Sequence, residues 1–278
     1  MPELSEVRAH AERLNDRYAG GELAQFAALS FTALKTFDPP PDRAVGAQLA
    51  GVSQRGKYLL LGFGEVTYVV HLMQGGRLRD DQRQARRPRN GVARWVFADG
   101  RALLLSEAGT EHKAGVWVVG GDPLESEQLA GLGPEADTID AEGLRQLLRD
   151  HPMRLHGLLR QQKQIAGIGR RLANEICHRA QLSPFQPTAK MTEQDASGLV
   201  AAMQAVIADD LETERARDDM SSSRQRPSAV HGRTGEPCPV CGDQVREVAY
   251  RAYTVHYCAT CQTSGKVLAD NTTSKFLK

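Results

Sequence analysis

No run of about 18 apolar residues occurs in this 278-residue sequence, so no membrane-spanning helix is readable in it. The opening stretch, Met1-Pro-Glu-Leu-Ser-Glu-Val, brings acids early and has no apolar core. A secretory signal is thereby excluded, and a cytoplasmic chain is expected. Net charge is nearly absent too, at +1, so the total says nothing about an anionic partner. Residues 1–150 hold 18 basic and 21 acidic side chains, against 17 and 13 in the remainder. That is a mild tilt toward an anionic partner for the C-terminal half, where the placement of the charges decides more than their total. No internal repeat is evident. What is present is ordinary: 41% hydrophobic and 25% charged residues, which describes a folded protein of one large or two ordinary domains.

The pattern changes along the chain. Residues from Glu6 to about Arg17 carry near-helical spacing. From Gly21 to Val119 the signals are strand-like, as in Tyr58-Leu-Leu-Leu-Gly-Phe and Val66-Thr-Tyr-Val-Val-His, with turns such as Asp99-Gly100. Many short strands so punctuated suggest a sandwich or barrel-like sheet. Residues 121–138, with Pro123 and Pro134, read as a linker. Helical periodicity follows over 141–149, 154–160, 170–180 and 193–211, with Thr192 a plausible helix start. Residues 213–230 are polar and rich in Ser, Arg and Asp, and read as a mobile loop.

Cys238-Pro-Val-Cys241 and Cys258-Ala-Thr-Cys261 are two CxxC knuckles separated by sixteen residues. Each knuckle presents two thiolates on one side of a tight turn, and two knuckles complete a tetrahedral zinc site. A pair of disulfides would use the same residues, but a reducing compartment disfavours it. Four thiolates close the site, so one structural zinc ion is expected. Val245–Tyr257 alternates enough for a two-stranded hairpin, too small to be stable without the metal. Cys177 reads as a buried small apolar residue. Zinc ribbons occur in many kinds of protein, so the module alone names no function.

Three further segments decide. Met1-Pro-Glu-Leu-Ser-Glu-Val, Gln54-Arg-Gly-Lys-Tyr-Leu-Leu-Leu, and Gly167-Ile-Gly169 followed by a helix and Leu182-Ser-Pro stand in order before the cysteines. Together they resemble the formamidopyrimidine-DNA glycosylase and endonuclease VIII family. The resemblance implies an α+β protein: an N-terminal catalytic β-sandwich with flanking helices (1–120), a linker (121–138), a helix–two-turn–helix DNA-binding domain (139–230), and a zinc-finger β-hairpin with a tail (231–278). Damaged double-stranded DNA would run between the domains, bound by a monomer.

The same resemblance assigns the chemistry. Pro2 becomes the N-terminus once Met1 is removed, and its amine, with an ordinary pKa of about 8, has a usable neutral fraction. It would attack C1′ of the sugar and expel the base, leaving an iminium from which β-elimination cuts the strand. Composition alone would make Pro2 only the start of an extended segment. Glu3 is the expected general acid or base. Glu6 is a second carboxylate, for which a solvated helix face is almost as good an explanation. Lys57 would contact the phosphate or sugar of the lesion, where the plain reading is an exposed lysine. Gly167 and Gly169 open a helix whose N–H groups would bind phosphate, with Arg160, Lys163, Arg170 and Arg171 around them.

The chain also departs from the family's pattern. Where the hairpin usually presents a phosphate-gripping arginine, five residues before the third cysteine, stands Tyr253. Arg251, expected on the same strand face, would partly substitute. Arg170 replaces an asparagine, and Ser5 replaces a proline. Met73 and Gln74, with Lys113 or Ala114 on the next loop, are the nearest residues to a wedge for the void of a flipped base. The loop 213–230 does not resemble the usual cap over oxidised purines. These departures question the substrate more than the chemistry. A damaged-DNA binder without turnover, a relative specialised for bulky adducts, and a non-catalytic zinc-ribbon module remain the other readings.

Overall fold

The computed structural model describes residues 1–268 apart from Thr110, Ser221, Ser223, Arg224 and Ala252. The chain divides into two compact units, Met1–Gly131 with Glu214–Ser221, and Leu132–Thr213 with Ser222–Lys278.

The first unit opens on helix α1 (Leu4–Tyr18), which begins two residues before the expected Glu6. The reason is a reciprocal cap. Glu3 and Glu6 form a capping box, in which the Glu6 carboxylate accepts the Glu3 N–H at 2.7 Å. Eight strands follow: β1 (Leu23–Ala28), β2 (Leu49–Arg55), β3 (Tyr58–Phe63), β4 (Val66–His71), β5 (Gly76–Asp80), β6 (Gly91–Phe97), β7 (Ala102–Glu107) and β8 (Gly115–Gly120). They build two four-stranded antiparallel sheets, in the orders β1-β6-β7-β5 and β2-β3-β4-β8. Side chains of both sheets and of α1 fill one core, including Val7, Leu14, Phe63, Tyr68, Trp95 and Phe97. Phe63 and Trp95 each meet Tyr68 edge-on, at ring distances of 5.6 Å. Burial of each such ring contributes on the order of 2 kcal/mol, enough to fix which strand faces turn inward.

The second unit holds helices α2 (Ala141–Asp150), α3 (Leu155–Leu159), α4 (Arg170–Arg179) and most of α5 (Glu193–Arg215). The hairpin β9 (Val245–Ala249) and β10 (Thr254–Cys258) follows, then the short α6 (Ala259–Thr263). Helix α4 packs against β10 and α6. Thr192 caps α5: its hydroxyl accepts the Asp195 N–H at 3.1 Å, and Asp195 accepts the Thr192 N–H at 2.8 Å.

The expected loop at 213–230 needs correcting at both ends. Helix α5 continues through Arg215. No glycine or proline stops it after Leu211, and its last turn is held by α1. Arg13 donates to the Glu214 carbonyl at 2.7 Å, and the Arg215 guanidinium grips Glu12 at 2.6 and 2.7 Å. Met220 is buried in the core of the sandwich, and Val230 is buried beside Cys238 and Cys258. Within that stretch Ser221, Ser223 and Arg224 lie outside the described residues, as does the expected tail beyond Leu268.

Candidate functional site

Strands β2 and β3 are joined by the two residues Gly56 and Lys57, since Arg55 pairs with Tyr58. Gly56 has φ +57°, which a two-residue hairpin of this kind requires of its first residue. The turn holds Lys57 in place, and the side chain is buried rather than solvated. Across β3 and β4, Tyr58 pairs with His71, and their rings meet edge-on at 4.6 Å. His71 is buried, and its Nδ1 accepts the Met73 N–H at 3.1 Å. Burial first, then the charges of Lys57 and of the terminal amine, push the His71 pKa down to about 4. The imidazole is therefore neutral at neutral pH, with its proton on Nε2. Both cations act on one histidine, which places Lys57, His71 and the chain's N-terminus in one neighbourhood. The amine in question belongs to Met1 here, while Pro2 and Glu3 just behind it are buried.

Glu6 has no surface at all. Neither a solvated helix face nor a DNA-facing one describes it, because its carboxylate serves the cap of α1. Met73 and Gln74 stand at the turn after β4. Met73 is half-buried with φ +48°, and Gln74 is exposed. Lys113 is exposed and pairs with Glu111 at 3.4 Å. Ala114 is not a surface wedge: it is buried, and its N–H donates to Glu107 at 2.8 Å.

In the second unit the segment before α4 is tied by one side chain. Gln162 accepts the Gly167 N–H at 3.1 Å and donates to the Ile168 carbonyl at 2.8 Å. Gly167 adopts φ +95° to make this turn. Its own N–H is thus engaged inside the protein, contrary to the expectation that it binds phosphate. Arg171 is likewise not at the surface but buried against Asp210. Arg170 is half-buried and lines an open cavity of about 470 Å³ with His231, Tyr250, Arg251, Tyr253, Thr254 and His256. Lys163 is exposed. Arg251 and Tyr253 do not share a strand face, because both lie in the turn between β9 and β10, closed by Tyr250 N–H to the Tyr253 carbonyl at 2.8 Å. Arg154, Arg160, Lys163, Arg170 and Arg251 have no carboxylate partner among the described residues, whereas Arg145, Arg171, Arg179 and Arg233 do.

The sulfur atoms of Cys238, Cys241, Cys258 and Cys261 lie within 4.8 Å of one another. Two of the distances are 3.4 Å, Cys241 to Cys258, and 3.9 Å, Cys238 to Cys261. A tetrahedron of sulfurs with metal bonds of about 2.3 Å has edges of about 3.8 Å, so the cluster has the dimensions of a closed metal site. Burial and the neighbouring thiols push the Cys258 thiol up to about 11, a cost of crowding that a divalent cation would remove. His178 Nε2 approaches Cys238 Sγ at 3.3 Å, a hydrogen bond that orients the ligand from outside.

Several of these residues carry no local signal. His71 is one more residue on an apolar strand until Lys57 arrives from another turn. Glu175 reads as a helix-face acid, yet it accepts the N–H groups of Ala229, Val230 and His231 at 2.6, 3.1 and 2.8 Å and so anchors the approach to the cysteines. Asn174 lies within 2.8 Å of His231 Nδ1 and 3.3 Å of His256 Nδ1. His178 carries no such signal either, since α5 stands between its helix and the cysteines in sequence and only the fold brings it to Cys238.

The chain matches the family model of the formamidopyrimidine-DNA glycosylase N-terminal domain over residues 1–108. It is 32% identical over 282 residues to a formamidopyrimidine-DNA glycosylase of Thermus thermophilus, covering 95% of this chain and 100% of that one. It is 39% identical over 153 residues to an uncharacterised formamidopyrimidine-DNA glycosylase-like protein of Mycobacterium tuberculosis, covering 54% of this chain and 97% of that one. The crystal structure of the Thermus thermophilus MutM (Fpg) protein superposes with a TM-score of 0.81 at 29% identity, over 94% of this chain and 98% of that one. A Lactococcus lactis Fpg in complex with DNA containing an abasic site gives 0.83 at 23% identity, over 94% and 99%, a likeness of fold.

Proposed function

The chain belongs to the formamidopyrimidine-DNA glycosylase family, and from that premise we propose that the amine of Pro2, freed by loss of Met1, is its nucleophile. The protein is a DNA-repair glycosylase with abasic-site lyase activity that acts on damaged bases. The observation that carries the assignment of the amine is the neighbourhood around it: buried Lys57, neutral His71 and the terminal amine lie together, with Glu3 directly behind Pro2.

The steps follow from the groups present. The Pro2 nitrogen forms a bond to C1′ as the glycosidic bond breaks, and the base leaves with the proton that the amine gives up. Glu3, as the acid, protonates the ring oxygen as the sugar opens to an iminium. The iminium acidifies C2′, whose proton passes to the Glu3 carboxylate left by that step as the bond from C3′ to its phosphate oxygen breaks. Water then releases the sugar fragment from Pro2. Lys57 holds the adjoining phosphate, and His71 keeps a neutral Nε2 donor at the site without adding a cation that would compete for that phosphate.

Damaged double-stranded DNA is the partner in this reading, held by the unpaired cations of the second unit. Flipping the nucleotide out costs a few kcal/mol, least at damaged sites, which favours them. The four cysteines hold one Zn²⁺. Closed by thiolates, it supplies folding energy to the β9–β10 hairpin and takes no part in the reaction.

The test is strand cutting on a duplex with one abasic site, after the loss of Met1 has been confirmed by intact mass. Glu3→Gln is expected to cut at least 100-fold more slowly than the wild type, the scale of a lost acid–base group, with little change in affinity for an uncleavable abasic analogue. Equal rates for the two proteins would remove Glu3 from the chemistry.

A further inference from the structure

The turn between β9 and β10 carries no charge at Tyr253, yet a charge stands directly on it. The Arg160 guanidinium, at the end of α3, lies 4.2 Å from the centre of the Tyr253 ring. Tyr250 stacks on the same ring at 4.9 Å with the planes 17° apart, and His156 at 6.1 Å with the planes 14° apart. Arg160 and both tyrosines are half-buried. No carboxylate partners Arg160 among the described residues, and none partners Arg154, Lys163, Arg170 or Arg251 nearby in sequence or cavity.

A half-buried guanidinium ordinarily has an acid or carbonyl beside it. Here it has an aromatic face. A guanidinium held over an aromatic face, with no carboxylate to occupy it, keeps its N–H groups available to an anion. Stacking also removes much of the side-chain freedom that a lone surface arginine would lose on binding an anion. The arrangement is therefore a pre-oriented fork of donors, close in the fold to a cavity edged by Arg170 and Arg251. A phosphodiester is the anion whose geometry such a fork matches.

We infer that Arg160 binds a backbone phosphate of the DNA, with Tyr253 as the platform that positions it. The inference rests on the DNA-glycosylase reading and deepens it. The tyrosine at the hairpin turn is then not a lost contact. The charge has moved to α3, and the ring carries it. Arg160 is a binding residue, and Tyr253 is a positioning residue that acts through it.

The experiment is the salt dependence of binding to a duplex carrying a tetrahydrofuran abasic analogue, measured by fluorescence anisotropy. Wild type, Arg160→Gln, Arg160→Lys, Tyr253→Phe, Tyr253→Ala and the double variant Arg160→Gln/Tyr253→Ala are compared. Zinc content and urea midpoints establish that each is folded. Loss of one phosphate contact lowers the slope of log K against log salt by about 0.9. That loss is expected for Arg160→Gln. It is expected also for Tyr253→Ala, although no charge is removed there. Tyr253→Phe keeps the ring and keeps the wild-type slope. Arg160→Lys keeps the charge and most of the slope. The double variant loses no more than either single one, because the two residues act as one device.

An unchanged slope in Arg160→Gln, with the wild type steep, would overturn the inference and leave the glycosylase reading standing. So would a fall in Arg160→Lys equal to that in Arg160→Gln, which would indicate packing in place of charge. A flat response of the wild type itself would instead remove the DNA reading, and this inference with it.

Discussion

Burial sets the charge of two histidines in the first unit, and each makes the sandwich sensitive to acid. His10 lies under β5 with its Nε2 donating to the Leu78 carbonyl at 2.7 Å, and burial pushes its pKa down to about 4. His71 is held to about 4 by burial, Lys57 and the terminal amine. Both start from an ordinary 6.5, so between 6.5 and about 4 the unfolded chain binds more protons than the folded one. Their contribution to stability is complete above pH 6.5 and is lost as the pH falls toward 4. Each shift corresponds to something on the order of 3 kcal/mol. Urea midpoints should therefore drop between about pH 7 and about pH 5, and the drop should shrink in His10→Gln and in His71→Gln. A midpoint flat over that range would mean that neither imidazole is held neutral. The two glutamates of α1 divide along the same line. Both serve the cap, but Glu3 alone directly follows Pro2, the residue to which the attack is assigned.

Among the elements, the hairpin β9–β10 depends most on something outside its own chain. Its two strands pair over five residues, from Thr254 with Ala249 to Cys258 with Val245, too few to stand alone. Packing on α4 supplies part of the rest, and on the proposed reading the zinc held by the four cysteines supplies the remainder. His178 on α4 donates to Cys238, so His178→Ala should weaken zinc affinity roughly 10- to 100-fold, read by competition with a chelator. Unchanged affinity would show that the hydrogen bond does not tune the site. Legibility in the sequence follows the same division between local and distant partners. The two CxxC knuckles, the Thr192 cap and the Asp99-Gly100 turn are readable because their partners are a few residues away. The pairing of β1 with β6, the neutral state of His71 and the seating of Tyr253 under Arg160 were not, since each depends on a residue brought from another element. The end of α5 was misread for a related reason. Its last turn is polar, so hydrophobic periodicity stops at Leu211 while contacts from Glu12 and Arg13 carry the helix to Arg215.

At the scale of the whole molecule, a net charge of +1 hides an unequal use of charge. Some arginines are tied to acids, as in the buried pairs Arg94 with Asp81 and Arg171 with Asp210. Others, namely Arg154, Arg160, Arg170 and Arg251 in the second unit, have no carboxylate partner among the described residues. The first unit holds the amine, the lysine and the neutral histidine; the second holds the unpaired cations and the cysteines. Affinity for any duplex should thus fall steeply with salt, for intact and damaged DNA alike, since phosphate contacts do not read the lesion. Binding that held between low and moderate salt would contradict a backbone-gripping role for those cations.

The central claim is that Pro2 attacks the sugar, and borohydride trapping tests it most directly. Protein with confirmed loss of Met1 is mixed with a duplex carrying one abasic site, reduced, and digested to locate the attached residue. A covalent adduct on the Pro2 nitrogen is expected, diminished in Pro2→Gly, where any residual adduct maps to the new terminal amine. A wild-type protein that binds the abasic duplex tightly yet forms no adduct, or forms it on Lys57, would contradict the claim.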